Sequence, residues 1–166
     1  MSKTVEKLNL YLANLNVLYT KVQNYHWNIV GAGFFSVHAK LEEYYDAINT
    51  QIDDVAERIL SIGGRPLGTL KDYLEVTTIK EAENKEISIP EAVADVKKEF
   101  EAMLKLVKEI KVVADEENDY GTSALVDEYI INYEKDLWML NSFLNPNLSK
   151  VELKPNNTEN NLKFVK

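Results

Sequence analysis

From Val5 onward the apolar positions recur at steps of three and four, through Leu8, Leu12, Leu15, Tyr19 and Val22 to His26 and Ile29. That rhythm is one stripe of a long helix. Gly31-Ala32-Gly33 interrupts it and Ser36 is placed to cap a second helix. Leu41, Tyr45, Ile48, Ile52, Val55, Ile59 and Ile62 then repeat the period until Gly63-Gly64-Arg65-Pro66 ends it. Leu67 to Glu86 has weak periodicity and reads as a long connection with a short helix near Leu70 to Leu74. Ser88-Ile89-Pro90-Glu91 has the form of a capping box with proline in the first turn. It opens a third stripe through Val93, Val96, Phe100, Met103, Val107, Ile110 and Ala114. Thr122 is placed to start the fourth, whose stripe is Val126, Ile130, Tyr133, Leu137, Leu140 and Leu144, and Asn145-Pro146 stops it.

Four amphipathic helices, with one long crossover between the second and third that carries a short extra helix, describe an all-α, four-helix bundle of ferritin-like connectivity. Residues 1–145 are expected to form the bundle, and 146–166, rich in Asn, Lys and Glu, a flexible and weakly basic tail. Fold class alone decides no function.

Composition narrows the chemistry. Six glycines and four prolines in 166 residues fall well below the usual combined share of roughly 12%, which disfavours a many-turned β architecture. The absence of cysteine excludes disulfides, thiolate metal sites, iron–sulfur clusters and a thiol nucleophile. The two histidines, His26 and His38, must carry any imidazole chemistry. Charge is unevenly placed: residues 1–144 hold 15 basic and 25 acidic side chains. Beyond them Lys150, Lys154, Lys163 and Lys166 outnumber Glu152 and Glu159. Such a body attracts cations and repels nucleic acid and anionic membranes, with only the tail dissenting. Met1 to Thr4 begins no charged-then-apolar leader, and no apolar run approaches the ~18 residues of a membrane span, so a cytoplasmic location is expected.

Candidate metal ligands are His26 at the end of the first helix and His38, Glu42, Asp53 and Glu57 on the second. At ~100° per residue the last four lie at about 0°, 40°, 60° and 100°, on one helical face. Along the axis, however, Glu42 and Asp53 are about 16 Å apart at 1.5 Å per residue, too far to share one ion whose ligands sit within roughly 2.0 to 2.6 Å. Either the clusters are unrelated, or His26, His38 and Glu42 of one chain meet Asp53 and Glu57 of another across a twofold interface. Taken singly, His26 reads as a core histidine and Asp53 and Glu57 as a solvated face. Taken together, two imidazoles and three carboxylates suit iron or another transition ion better than Ca²⁺ or Mg²⁺.

The run Tyr25-His26-Trp27-Asn28-Ile29-Val30-Gly31-Ala32-Gly33-Phe34-Phe35-Ser36-Val37-His38, followed by Asp53-Asp54-Val55-Ala56-Glu57-Arg58-Ile59 and Gly63-Gly64-Arg65-Pro66, resembles the Dps family, the miniferritins. The likeness in helix pattern covers residues 4 to 144. This resemblance implies a hollow homododecamer with ferroxidase centres at twofold interfaces, oxidising Fe(II) by hydrogen peroxide or oxygen and storing ferric mineral against oxidative damage. His26, His38, Asp53 and Glu57 match family ligand positions, and Glu42 stands where the family often has Asp. Trp27 falls where the family carries an aromatic near the centre, either as an electron donor or as packing, and Trp138 matches a recurrent last-helix Trp expected in the core. Asp115 and Asp119 coincide with acidic positions of the family's threefold pores, whereas Tyr120 and Ala124 stand where some relatives have Asp. That leaves a weaker pore charge, or one borrowed from Asp127 or Glu128. The alternative function is DNA binding through the C-terminal lysines, which would bring nucleoid association; the acidic body argues against it.

Overall fold

The computed structural model describes residues 2–145. Five helices and two very short strands follow one another: α1 (Lys3–Asn28), β1 (Ile29–Val30), α2 (Phe34–Ser61), α3 (Leu70–Val76), β2 (Ile87–Ser88), α4 (Ile89–Glu116) and α5 (Tyr120–Leu144). The four long helices form two hairpins, α1 with α2 and α4 with α5, joined by packing of α1 on α4. This is the expected bundle, with α3 as the short helix of the crossover. The tail, 146–166, lies outside the described residues.

The predicted stripes meet in one core. Leu8, Leu12, Leu15, Leu18 and Val22 of α1 face Leu41, Ile48, Val55 and Ile59 of α2, with Val96, Phe100, Met103, Val107 and Ile110 of α4 and Val126 of α5. Each buried aliphatic side chain contributes roughly 1.5–3 kcal/mol through area removed from water. At the middle of the bundle Tyr11 and Tyr133 share a hydroxyl hydrogen bond of 2.8 Å, and the Tyr11 hydroxyl donates to Gln51 Oε1 at 2.8 Å. Two tyrosine hydroxyls and an amide thus meet at the centre of the bundle.

Capping fixes the helix ends. Ser88 caps α4 by accepting the Glu91 N–H at 3.4 Å, and its hydroxyl donates to Glu91 Oε2 at 2.5 Å, so the Glu91 carboxylate meets the Ser88 side chain in place of the backbone N–H that a full capping box would use. At α1, Ser2 Oγ accepts from Val5 N, while the distant Glu117 carboxylate accepts from Lys3 N at 2.8 Å and Thr4 N at 3.2 Å. A carboxylate on the positive end of a helix also stabilises its dipole. After α2, Gly63 adopts φ +80°, and Gly64 lies so close to Val5 that a Cβ would stand 2.8 Å from Val5 Cγ1.

The crossover is pinned to α1 by two asparagines. Asn9 donates to Arg65 O and accepts from Leu67 N, and the buried Asn14 accepts from Thr78 N and Thr77 Oγ1, each at 2.8 Å. Beyond it β2 runs parallel to β1, pairing Ile29 with Ile87 and Val30 with Ser88.

Several details differ from the sequence reading. Ile29 is buried but extended, because α1 ends at Asn28. Gly33, at φ +86°, not Ser36, precedes α2, and the Ser36 hydroxyl donates back to Gly33 O. Asp119 caps α5 by accepting from Thr122 N, so the helix starts at Tyr120, ahead of Thr122. On α2, Val37 and Tyr44 are buried while Tyr45, Ile52 and Ile62 flank the core, and on α5 Tyr129 takes the inward position next to half-buried Ile130. Trp138 is 66% exposed, since Leu137 and Leu140 take the buried positions and one residue further along turns it about 100° outward.

Candidate metal centre

The turn between α1 and α2 holds the two histidines face to face. His26 ends α1, His38 sits in the first turns of α2, and their rings stack at 3.6 Å between centroids and 16° between planes. The contact is locked by reciprocal hydrogen bonds: His26 Nδ1 lies 2.7 Å from the His38 carbonyl oxygen, and His38 Nδ1 lies 2.8 Å from that of His26. A carbonyl only accepts, so both Nδ1 atoms carry the proton. In the neutral ring the lone pair then belongs to Nε2, the arrangement by which a backbone carbonyl orients a metal-binding imidazole. Neither Nε2 has a hydrogen-bond partner among the described residues. The stack is closed by Phe34, parallel to His38 at 5.1 Å, and by Tyr45, edge-on to His26 at 5.2 Å. His26 is buried, as a core histidine would be, yet its Nε2 is left without a hydrogen-bond partner among the described residues.

One turn beyond His38, the exposed Glu42 accepts a hydrogen bond from the Tyr45 hydroxyl at Oε1, 3.3 Å away. Asp53 and Glu57, also exposed, have no side-chain hydrogen bond or ion pair among the described residues. The cations of α2 are committed elsewhere. Lys40 pairs with Glu43 at 2.7 Å, and Arg58 turns to α5, where it meets Asp119 Oδ1 at 2.5 Å and donates to Thr122 Oγ1 at 3.0 Å. Gly121 makes room for this, as a Cβ there would stand 2.6 Å from the guanidinium. The structure therefore brings His26 and His38 together with Glu42 nearby, and leaves Asp53 and Glu57 three to four turns further along α2. Among the described residues no three His, Asp or Glu side chains converge on one point within the chain.

The acidic turn between α4 and α5 is divided. Asp115 and Glu116 are exposed. Glu117 is held by the α1 N-terminus, whose Thr4 and Lys3 donors keep its carboxyl below the usual range. Burial would raise the Asp119 carboxyl, but the Thr122 hydrogen bonds and the Arg58 guanidinium outweigh it and lower it. Asp127 pairs with Lys111 at 2.8 Å. Trp27 is 68% exposed beside the histidine turn. The commitments of Glu117 and Arg58 were invisible in the sequence, since their partners lie 114 and 61 residues away.

A four-helix bundle with one long crossover has the connectivity of a ferritin-like subunit, and the ferritin family profile, a ferritin-like domain, matches residues 5–148. DNA protection during starvation protein 2 of Bacillus anthracis is 41% identical over 143 residues, spanning 86% of this chain and 97% of that relative. The crystal structure of a Dps protein from Bacillus brevis superposes with a TM-score of 0.82 at 42% identity, covering 85% of this chain and 94% of the other. A Dps protein of Vibrio cholerae O1, described as a member of a broad superfamily of ferritin-like diiron-carboxylate proteins, matches at TM-score 0.82 and 40% identity over 86% of this chain and 89% of its own. The chain belongs to the Dps family.

Proposed function

We propose that the protein is an iron-storing ferroxidase that oxidises Fe(II) with hydrogen peroxide or oxygen and deposits the ferric product in a homododecameric shell. The observation that carries this reading is the unmatched ligand row formed by α2 and the end of α1. Two imidazoles with free Nε2 atoms lie at one end and two unpaired carboxylates at the other. A second copy packed antiparallel would set His26, His38 and Glu42 opposite its own Asp53 and Glu57, twice per dimer. Imidazole nitrogen suits Fe(II), and carboxylates stabilise the harder Fe(III). With two irons side by side, each gives one electron to peroxide. The O–O bond breaks, two protons are taken up and two waters leave, so no hydroxyl radical is released. Trp27 is a reserve electron donor in this scheme, and Asp115, with both oxygens unclaimed, is the better pore residue; Asp119 is occupied by Arg58 and Thr122.

Mixing Fe(II) with peroxide should produce ferric absorbance that His26→Ala combined with Asp53→Ala abolishes, in a particle of twelve-subunit mass. Unchanged oxidation in that variant, or a protein that stays monomeric, overturns the reading. Protection of DNA, which the names of the relatives specify, is here proposed to come from removing iron and oxidant in the cytoplasm, because the acidic body opposes contact with phosphates. Gel retardation at low salt, with and without residues 146–166, checks this: retardation that depends on the tail would favour direct binding. No helix among the described residues is long and apolar enough to cross a membrane.

A further inference from the structure

Tyr45 touches two members of the candidate centre at once. Its ring edge rests on His26, and its hydroxyl reaches Glu42 Oε1 one turn back on the same helix. The ring is itself braced: Tyr19 of α1 packs on it in a T-shaped contact at 5.9 Å, and the Tyr19 hydroxyl accepts from Gln23 Nε2 at 3.1 Å. Gln23, Tyr19 and Tyr45 thus form a short strut from α1 that ends on the Glu42 carboxylate.

Glu42 needs such a strut. A glutamate has one more rotatable bond than an aspartate, and an exposed one samples many rotamers, whose loss on fixing opposes binding. An aspartate at position 42 would be too short to meet a hydroxyl three residues ahead on the helix in the same way. The contact to Tyr45 removes part of the Glu42 side chain's freedom before any metal arrives and leaves Oε2 unclaimed. We infer that Tyr45 is a positioning residue whose hydroxyl holds the Glu42 carboxylate toward the metal, so that Tyr45 and Glu42 work as a pair. This rests on the metal-site reading above.

The bond is long for an O–H···O contact, so its hold is modest. The test is a double-mutant cycle on the full-length assembled protein, with Co(II) as the probe and affinity read by calorimetry. Tyr45→Phe keeps the ring and should weaken Co(II) binding by ~3- to 10-fold, the range of one net hydrogen bond. In a Glu42→Asp background the same change should have less than about a twofold effect, since no partner remains for the hydroxyl. Equal affinity with and without the hydroxyl overturns the inference, as does an equal loss in both backgrounds, which is what a merely structural tyrosine would give. Wild-type protein that binds no Co(II), or binds it unchanged by His26→Ala, removes the metal site itself and the inference with it. Should Tyr45→Phe fail to assemble, ultraviolet difference spectra settle the point. Zn(II) should perturb tyrosine absorbance in the wild type and leave it unperturbed in Glu42→Asp; the same perturbation in both overturns the pairing.

Discussion

Two groups of carboxylates in this chain look alike in composition and behave differently in three dimensions. On the α1–α4 seam, Lys21 lies 2.7 Å from Asp95 and 3.0 Å from Glu99, with the lysine and Glu99 nearly out of solvent, and the Tyr25 hydroxyl donates to Asp95 at 2.6 Å. Along α2, Glu42, Asp53 and Glu57 stand in solvent with no cation of their own. The first group is satisfied inside the protomer and fixes how α1 meets α4. Among the described residues the second has no cation within the protomer, and only Glu42 has a side-chain partner there, the Tyr45 hydroxyl. On the proposed reading, whether the chain supplies a carboxylate's counter-charge separates those that hold the fold from those left for a metal.

The sharpest way to break that distinction is complementation. Chains carrying His26→Ala and His38→Ala, and chains carrying Asp53→Ala and Glu57→Ala, should each lose Fe(II) oxidation by at least the roughly 10- to 100-fold that losing supporting groups costs other metal sites. Co-expressed, they should regain activity, because in a mixed dimer one of the two sites receives its histidines from one chain and its Asp53 and Glu57 from the other. Mixed particles as inactive as either parent would place the α2 carboxylates outside any shared site.

The converse experiment removes the counter-charge from the satisfied group. Lys21→Met leaves two carboxylates on the seam without their cation and should cost about 3 kcal/mol, the lower end for breaking a buried pair because Asp95 keeps some solvent. In a thermal melt at fixed protein concentration this is roughly 6–12 °C, with Fe(II) oxidation by assembled protein unchanged. Its pH dependence has a definite sign. Burial works to raise the Asp95 carboxyl, yet hydrogen bonds from Lys21 and Tyr25 outweigh that and lower it. A lowered carboxyl stabilises the fold above its unfolded value, near ~3.9, and loses that contribution as pH falls through the folded one. The gap between wild type and Lys21→Met should therefore be full near neutrality and close in acid. A gap that widens in acid would show that Lys21 acts through something other than these carboxylates.

The sequence made one side of the comparison legible and concealed the other. Helical period placed the four stripes, and a dense local motif named His26 and His38, whose mutual contact spans only twelve residues. The common face proposed for His38, Glu42, Asp53 and Glu57 on α2 followed from arithmetic on one helix. What could not be read is every pairing made at long range: Lys21 with Glu99, Lys3 with Glu117, Arg58 with Asp119. Periodicity fixes a residue's angle on its own helix and says nothing of which charge the neighbouring helix presents. Trp138 shows the same limit in an apolar residue, since an amphipathic stripe has an edge, and a residue at the edge takes its side from the packing of its neighbours.

The smallest expected effects lie where both kinds of carboxylate occur within one turn. Asp119 caps α5 and receives Arg58, so Asp119→Ala should cost about 1 kcal/mol, the usual loss of a helix N-cap, seen as a lower melting temperature. Asp115, exposed four residues earlier, should change stability by less than about 0.5 kcal/mol when replaced by Asn. If exposed acidic charge gathers Fe(II) at this turn, Asp115→Asn should slow iron uptake a few-fold at low ionic strength and not at high, because the attraction is screened over ~10 Å at 0.1 M salt. Asp119→Asn should slow it less, its charge being already balanced by the guanidinium. Equal slowing by the two variants would mean that a carboxylate matched within the chain still acts on ions outside it, and the division drawn from α2 and the seam would not extend to this turn.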